Sequence, residues 1–223
     1  MMNLSKLQLS EEETAMVMDS HWLLTKNSIM QKAYALFGES AGWLQENVNR
    51  GFKLPEEVLI QSPKIARGEN YNGLPYVMLD YPRFFGKEDV FALRTMFWWG
   101  NFLSITWHLK GRYGKLYRRN LISNYERLAV EDFQLCIGED EWRHDFNDDN
   151  YLRLQNLDIT RFSAELADKS FNKLAVKISL DQWNNAKIKL IRVYQTILDV
   201  ASINYPGDEK DLLPDNPITD SDL

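Results

Sequence analysis

The sequence predicts an α+β domain, with a central antiparallel sheet built as a meander of hairpins and packed by N-terminal helices and a long C-terminal helix. Three observations predict it. Apolar residues recur at helical spacing through the first fifty positions, strand-like runs cluster between about 75 and 180, and helical spacing returns over 181–202. Strands gathered in the centre with helices at both ends favour α+β over a doubly wound fold.

The elements follow in order. Ser10-Glu11-Glu12-Glu13 is a capping box, with Ser10 capping and Glu13 returning the bond. From Trp22 through Ile29, Ala33, Leu36 and Phe37 the spacing is helical, and Gly38 is the expected stop. A second short helix is expected over Trp43 to Val48. Residues 51–75 carry Pro55, Pro63, Gly68, Gly73 and Pro75, which predicts a long connector, a type of segment often used for function.

Tyr76 to Tyr81 forms the first expected strand, closed by Pro82. Val90 to Trp99 and Phe102 to Leu109 are two more, joined by a two-residue turn at Gly100-Asn101. That turn sets Trp99 opposite Phe102. One face then holds Ala92, Arg94, Met96 and Trp98 with Leu109, Trp107, Ile105 and Leu103. The second holds Phe91, Leu93, Thr95, Phe97 and Trp99 with Lys110, His108, Thr106, Ser104 and Phe102. Large apolar groups stand on both faces, so something should cover part of the second face too.

Gly111 to Gly114 is expected to turn, making residues 110–119 a basic hairpin. Residues 121–131 suit a helix, Phe133–Ile137 a strand, Glu139 to Asn150 an acidic loop and Phe171 to Ile178 a strand. Within the last, Leu174, Val176 and Ile178 share one side. Ser179-Leu180-Asp181-Gln182 should cap a final helix through Trp183, Ile188, Ile191, Tyr194 and Leu198.

Composition supports one core. The 223 residues are 44% hydrophobic and include seven Trp, ten Tyr and eleven Phe, far from a disordered composition. The net charge of -6 is concentrated in residues 206–223, where six acids face Lys210 alone. Residues 1–205 form the expected domain with a charge of only -1, and the Pro-containing acidic stretch is expected to be a disordered tail. The single cysteine, Cys136, excludes an internal disulfide framework and a multi-Cys zinc site. It sits in Phe133–Ile137 and suits a buried small hydrophobe. With no apolar leader and no uncharged run of about 18 residues, a cytoplasmic location without membrane contact is expected.

No dinucleotide-binding, phosphate-loop, HExxH, paired CxxC, nucleophile-elbow or EF-hand pattern occurs, so neither a cofactor nor a metal is expected. His21, His108 and His144 are scattered, and His144 stands in an acidic loop whose spacing fits no metal motif. Lys110, Arg112, Lys115, Arg118 and Arg119, interleaved with Tyr113 and Tyr117, could meet phosphates or bases. They could equally pair with the acidic loop over 139–149, and the near-neutral domain argues against nucleic acid.

The expected site is the second sheet face. Tyr76, Asp80, Thr95, Thr106, His108 and Lys110 form the candidate ligand-binding set there, with the groove becoming more polar away from the hairpin turn. Asp80 has two competing placements. It either pairs with Arg94 on the first face or looks towards Thr95, Thr106 and His108 on the second. The leading expectation is a binding or accessory protein holding a small polar ligand or a protein partner on this face. The alternatives are an enzyme using Asp80 and His108 in acid–base chemistry, or a phosphate or nucleic-acid binder using residues 110–119.

Overall fold

The computed structural model describes residues 7–48 and 52–202. The acidic segment 206–223, expected to be a tail, lies outside the described residues.

Helix α1, Glu11–Met18, opens on the expected capping box: Glu13 N donates to Ser10 Oγ at 3.1 Å and Ser10 N to Glu13 Oε2 at 2.7 Å. Helix α2 spans Ser20–Val48 without interruption. The expected stop at Gly38 is therefore corrected. A glycine inside a helix costs about 1 kcal/mol, and the buried stripe of Met30, Ala33, Phe37, Ala41, Leu44 and Val48 outweighs it.

The connector expected over 51–75 is also corrected, since it contains helix α3, Glu56–Leu59, and strand β1, Lys64–Tyr71. Asn72 and Gly73, with φ of 50° and 81°, form the two-residue turn into β2, Leu74–Phe85. Strand β2 runs past Pro82 because the ladder breaks between Asp80 and Arg83, where a residue lacking an N–H is tolerated.

Strands β3, Val90–Trp98, and β4, Phe102–Lys110, follow, then helices α4, Arg112–Ser123, and α5, Tyr125–Val130. Short strands β5, Gln134–Cys136, and β6, Tyr151–Arg153, flank the acidic loop. Helix α6, Ile159–Asp168, is capped by Asp158, whose Oδ1 accepts from Arg161 N at 2.7 Å. Strand β7, Phe171–Ser179, leads through a 3-10 turn, Leu180–Asn185, into α7, Ala186–Ser202. The side chain of Ser179 makes no capping bond, and Ile188 is exposed rather than in the core.

All strand pairings are antiparallel, and the seven strands stand in the order β1-β2-β3-β4-β7-β5-β6. Val77, Leu79, Phe91, Leu93, Phe97, Leu103, Ile105, Trp107, Leu174 and Val176 build the main core under the helices. Cys136 is buried, as expected for a small hydrophobe, and burial pushes its thiol pKa up. No helix among the described residues is long and apolar enough to cross a membrane.

Candidate functional site

The β3–β4 hairpin turns through three residues, Trp99, Gly100 and Asn101, so Trp98 faces Phe102. Trp99 leaves the ladder and donates its N–H to Pro75 O at 2.9 Å, while Gly100 takes a φ of 70°. The expected two-residue turn is thus off by one residue, and because side chains alternate, every cross-strand partnership changes face. Arg94 stands opposite Thr106, and Ala92 opposite His108.

The loop-covered face consequently carries Asp80, Arg94, Thr106 and Ala175 in one row. The next row holds Ala92, His108 and Lys173, and the one beyond it Val90, Lys110 and Phe171. Tyr76, Trp98 and Phe102 occupy the opposite end, by the turn. Five of the six expected site residues share this face: Tyr76, Asp80, Thr106, His108 and Lys110. Thr95 does not. It pairs with Leu79 and Ile105 on the helix-covered face, and its Oγ1 lies 2.6 Å from Tyr194 OH of α7.

The same register resolves both placements of Asp80 into one. Arg94 Nε donates to Asp80 Oδ1 at 2.7 Å and Nη2 to Oδ2 at 3.0 Å, on the face that also holds Thr106 and His108. Arg94 is shielded as well by the rings of Phe85 and Trp142, 5.7 and 5.9 Å from its guanidinium carbon.

The acidic loop closes over these rows. Lys173, only 1% exposed, donates from Nζ to Glu141 O at 2.9 Å and Arg143 O at 2.6 Å. Lys110 Nζ donates to Glu141 Oε1 at 2.7 Å, and His144 N to Tyr71 OH at 2.8 Å. His108 Nε2 lies 3.0 Å from Glu141 Oε2 but outside hydrogen-bonding alignment. Burial, reinforced by Lys173, Arg94 and Lys110, pushes the His108 pKa down to about 3. His144 is held well below the ordinary histidine value, chiefly by burial and then by Arg94, whose Nη1 is 3.3 Å from His144 Nε2. Both rings are therefore neutral at pH 7. Arg143 pairs with the loop's own Asp145 and Asp149, at 2.8 and 2.9 Å.

Residues 112–123 are helical, so the basic hairpin expected over 110–119 is corrected to the end of β4 followed by α4. Gly111, with a φ of 62°, makes the corner. Lys110 of that segment reaches the acidic loop, while Arg112 instead meets Glu57 and Asp89, at 2.8 and 3.6 Å.

Neither Asp80 nor His108 lines any of five clefts on the described surface. The expected groove wall is filled by the protein's own loop. The open space on this face lies nearer the hairpin turn. A cleft of about 610 Å³ is lined by Asn72, Trp98, Asn101, Phe102, Arg143, Asp145, Phe146, Asn147 and Lys177. A second, of about 250 Å³, shares Phe146 and Lys177 with it. The Lys177 ammonium stands 5.9 Å from the Phe102 ring centroid and 5.8 Å from that of Phe146. Among the described residues Lys177 makes no ion pair.

Lys177 and the loop residues around it escaped sequence reasoning. A signal for Lys177 existed: with Leu174, Val176 and Ile178 inward, alternation sends Lys173 and Lys177 to the opposite face. No family model matches the chain, and no match is found among curated proteins or solved structures.

Proposed function

We propose that this is a cytoplasmic binding protein that holds a small polar anion in the cleft beside the β3–β4 turn. The observation that carries this reading is Lys177, a cation without a carboxylate partner among the described residues, at the meeting of two clefts. Such a group favours an anionic oxygen. The exposed Lys177 ammonium stands beside the Phe102 and Phe146 rings. Asn72, Asn101 and Asn147 add amides that can donate to and accept from further polar groups. Arg143 is shared by Asp145 and Asp149, which leaves Lys177 as the cleft's cation without a carboxylate partner among the described residues. The single buried thiol agrees with a reducing compartment.

Thermal-shift screening with inorganic phosphate, small carboxylates and their neutral amides or esters tests the reading, followed by calorimetric titration. Anions should raise Tm where their neutral counterparts do not, and Lys177→Met should weaken binding by about tenfold or more. Equal response to neutral compounds, or unchanged affinity in Lys177→Met, overturns it.

A further inference from the structure

The buried stripe of α2 does not stop where the body of the protein stops. Met30, Ala33, Phe37, Ala41, Leu44 and Val48 pack against β2 and α7. Continued towards the N-terminus at the same spacing, the stripe reaches Lys26, which pairs with Glu69 of β1, and then Leu23 and Trp22. Trp22 and Leu23 are 46% and 51% exposed. Every residue from 7 to 25 is exposed, and α1 has no buried residue. Among the described residues, eight of the fifteen large exposed hydrophobic ones fall in this arm, among them Met16 at 52%, Val17 at 71%, Met18 at 78% and Leu24 at 64%. Scattered exposed apolar residues are ordinary, but a continuous run of this size marks an interaction surface. An eight-residue helix with no tertiary packing is also marginal on its own.

The same molecule carries a surface that fits the arm. A cleft of about 480 Å³ opens beside the foot of the arm, with walls from Ile29, Phe97, Trp99, Leu180 and Trp183 and with Lys32 at its rim. The arm is acidic, with Glu11, Glu12, Glu13 and Asp19 and no Lys or Arg between residues 7 and 25. Apolar therefore matches apolar, and Lys32 matches Asp19 at the foot of the arm. The acidic charge also disfavours an anionic membrane surface as the occupant.

We propose that the arm and this cleft meet in a two-fold dimer of this chain. Trp22 and Leu23 cannot fill the cleft of their own chain, because they lie on the same helix, α2, as its wall residue Ile29. Leu23 and Ile29 are separated along α2 by about 9 Å of helix rise. In a second copy running antiparallel, with the two-fold axis crossing α2 near Lys26, Trp22 and Leu23 of each chain come over Ile29, Trp99 and Trp183 of the other. One contact is thereby made twice, which is the closed, self-complementary arrangement of a symmetric dimer.

Light scattering on the size-excluded full chain, with sedimentation velocity over a concentration series, tests this. The expected mass is twice 26.2 kDa. Leu23→Glu and Trp22→Glu should each give a folded monomer, because neither residue belongs to the buried core, and near-UV circular dichroism should report the core intact. On the cleft side, Lys32→Glu should weaken the dimer by about tenfold or more by placing acid against acid. Wild-type protein that stays monomeric up to about 100 µM overturns the proposal, as does a dimer that survives both arm substitutions. A monomer whose arm binds lipid vesicles overturns it in favour of a different occupant.

Discussion

Asp80 and Arg94 stand directly opposite each other on β2 and β3 and share two hydrogen bonds, 2.7 and 3.0 Å long, beneath the loop that covers their sheet face. Each side chain of the pair is less than one-sixth exposed. Removing either partner alone leaves a shielded charge uncompensated, which costs about 3–5 kcal/mol.

Arg94→Met and Arg94→Ala should therefore both lower the urea midpoint strongly, with Met the milder because it keeps the packing of the stem. The double substitution Asp80→Asn with Arg94→Met should recover much of the loss. Double-mutant-cycle urea titrations measure this, and additive losses would show that the pair is not coupled.

Acid should weaken the fold through the two buried histidines. The folded-state pKa of His108 is about 3 against an ordinary 6.5, so the unfolded chain binds protons first as pH falls. The stabilisation from keeping His108 neutral is present in full above 6.5 and is lost as pH falls towards about 3. His144 is shifted in the same direction and adds to it. In urea titrations at about pH 7 and about pH 4.5, His108→Gln should show a smaller drop in stability between the two than wild type. An equal drop would assign acid sensitivity to other groups.

Tyr194→Phe removes the partner of Thr95 inside the helix-covered core and should cost about 1–3 kcal/mol, with Thr95→Val in the same background recovering part of it. Anion binding at the Lys177 cleft should be unaffected by Thr95→Val, because the two lie on opposite faces of the sheet. Loss of binding there would contradict that separation.

Gly111→Ala should be among the more damaging single substitutions, at about 1–3 kcal/mol or above. With φ at 62°, an added Cβ would sit 2.2 Å from Asp89 Oδ1 and 2.4 Å from Glu88 O. Asp89 would have to give up the bond it accepts from Arg112 N at 2.8 Å, loosening the corner between β4 and α4. Thermal unfolding monitored by circular dichroism reads the loss.

The sequence by itself determined the α+β class, the capping box at Ser10, strands β3, β4 and β7 and the long helix before residue 202, because each rests on local periodicity or a short-range hydrogen bond. Strand β1 carried little such signal, being a polar strand at the edge of the sheet. Its one marker was the Asn72-Gly73 turn. Helix α2 ran through Gly38 because long-range burial outweighed a local breaker. Tertiary structure alone decided the site. Whether the hairpin turns through two residues or three depends on Trp99 donating to Pro75 of a neighbouring strand, a contact remote in sequence. That one-residue difference moved Arg94 onto the face of His108 and left Thr95 on the other. Which side chains then remain open to solvent was settled by the loop over 139–150. Its acids and backbone carbonyls bind Lys110 and Lys173 from a distant strand pair, covering Asp80 and His108 while Lys177 stays at the cleft.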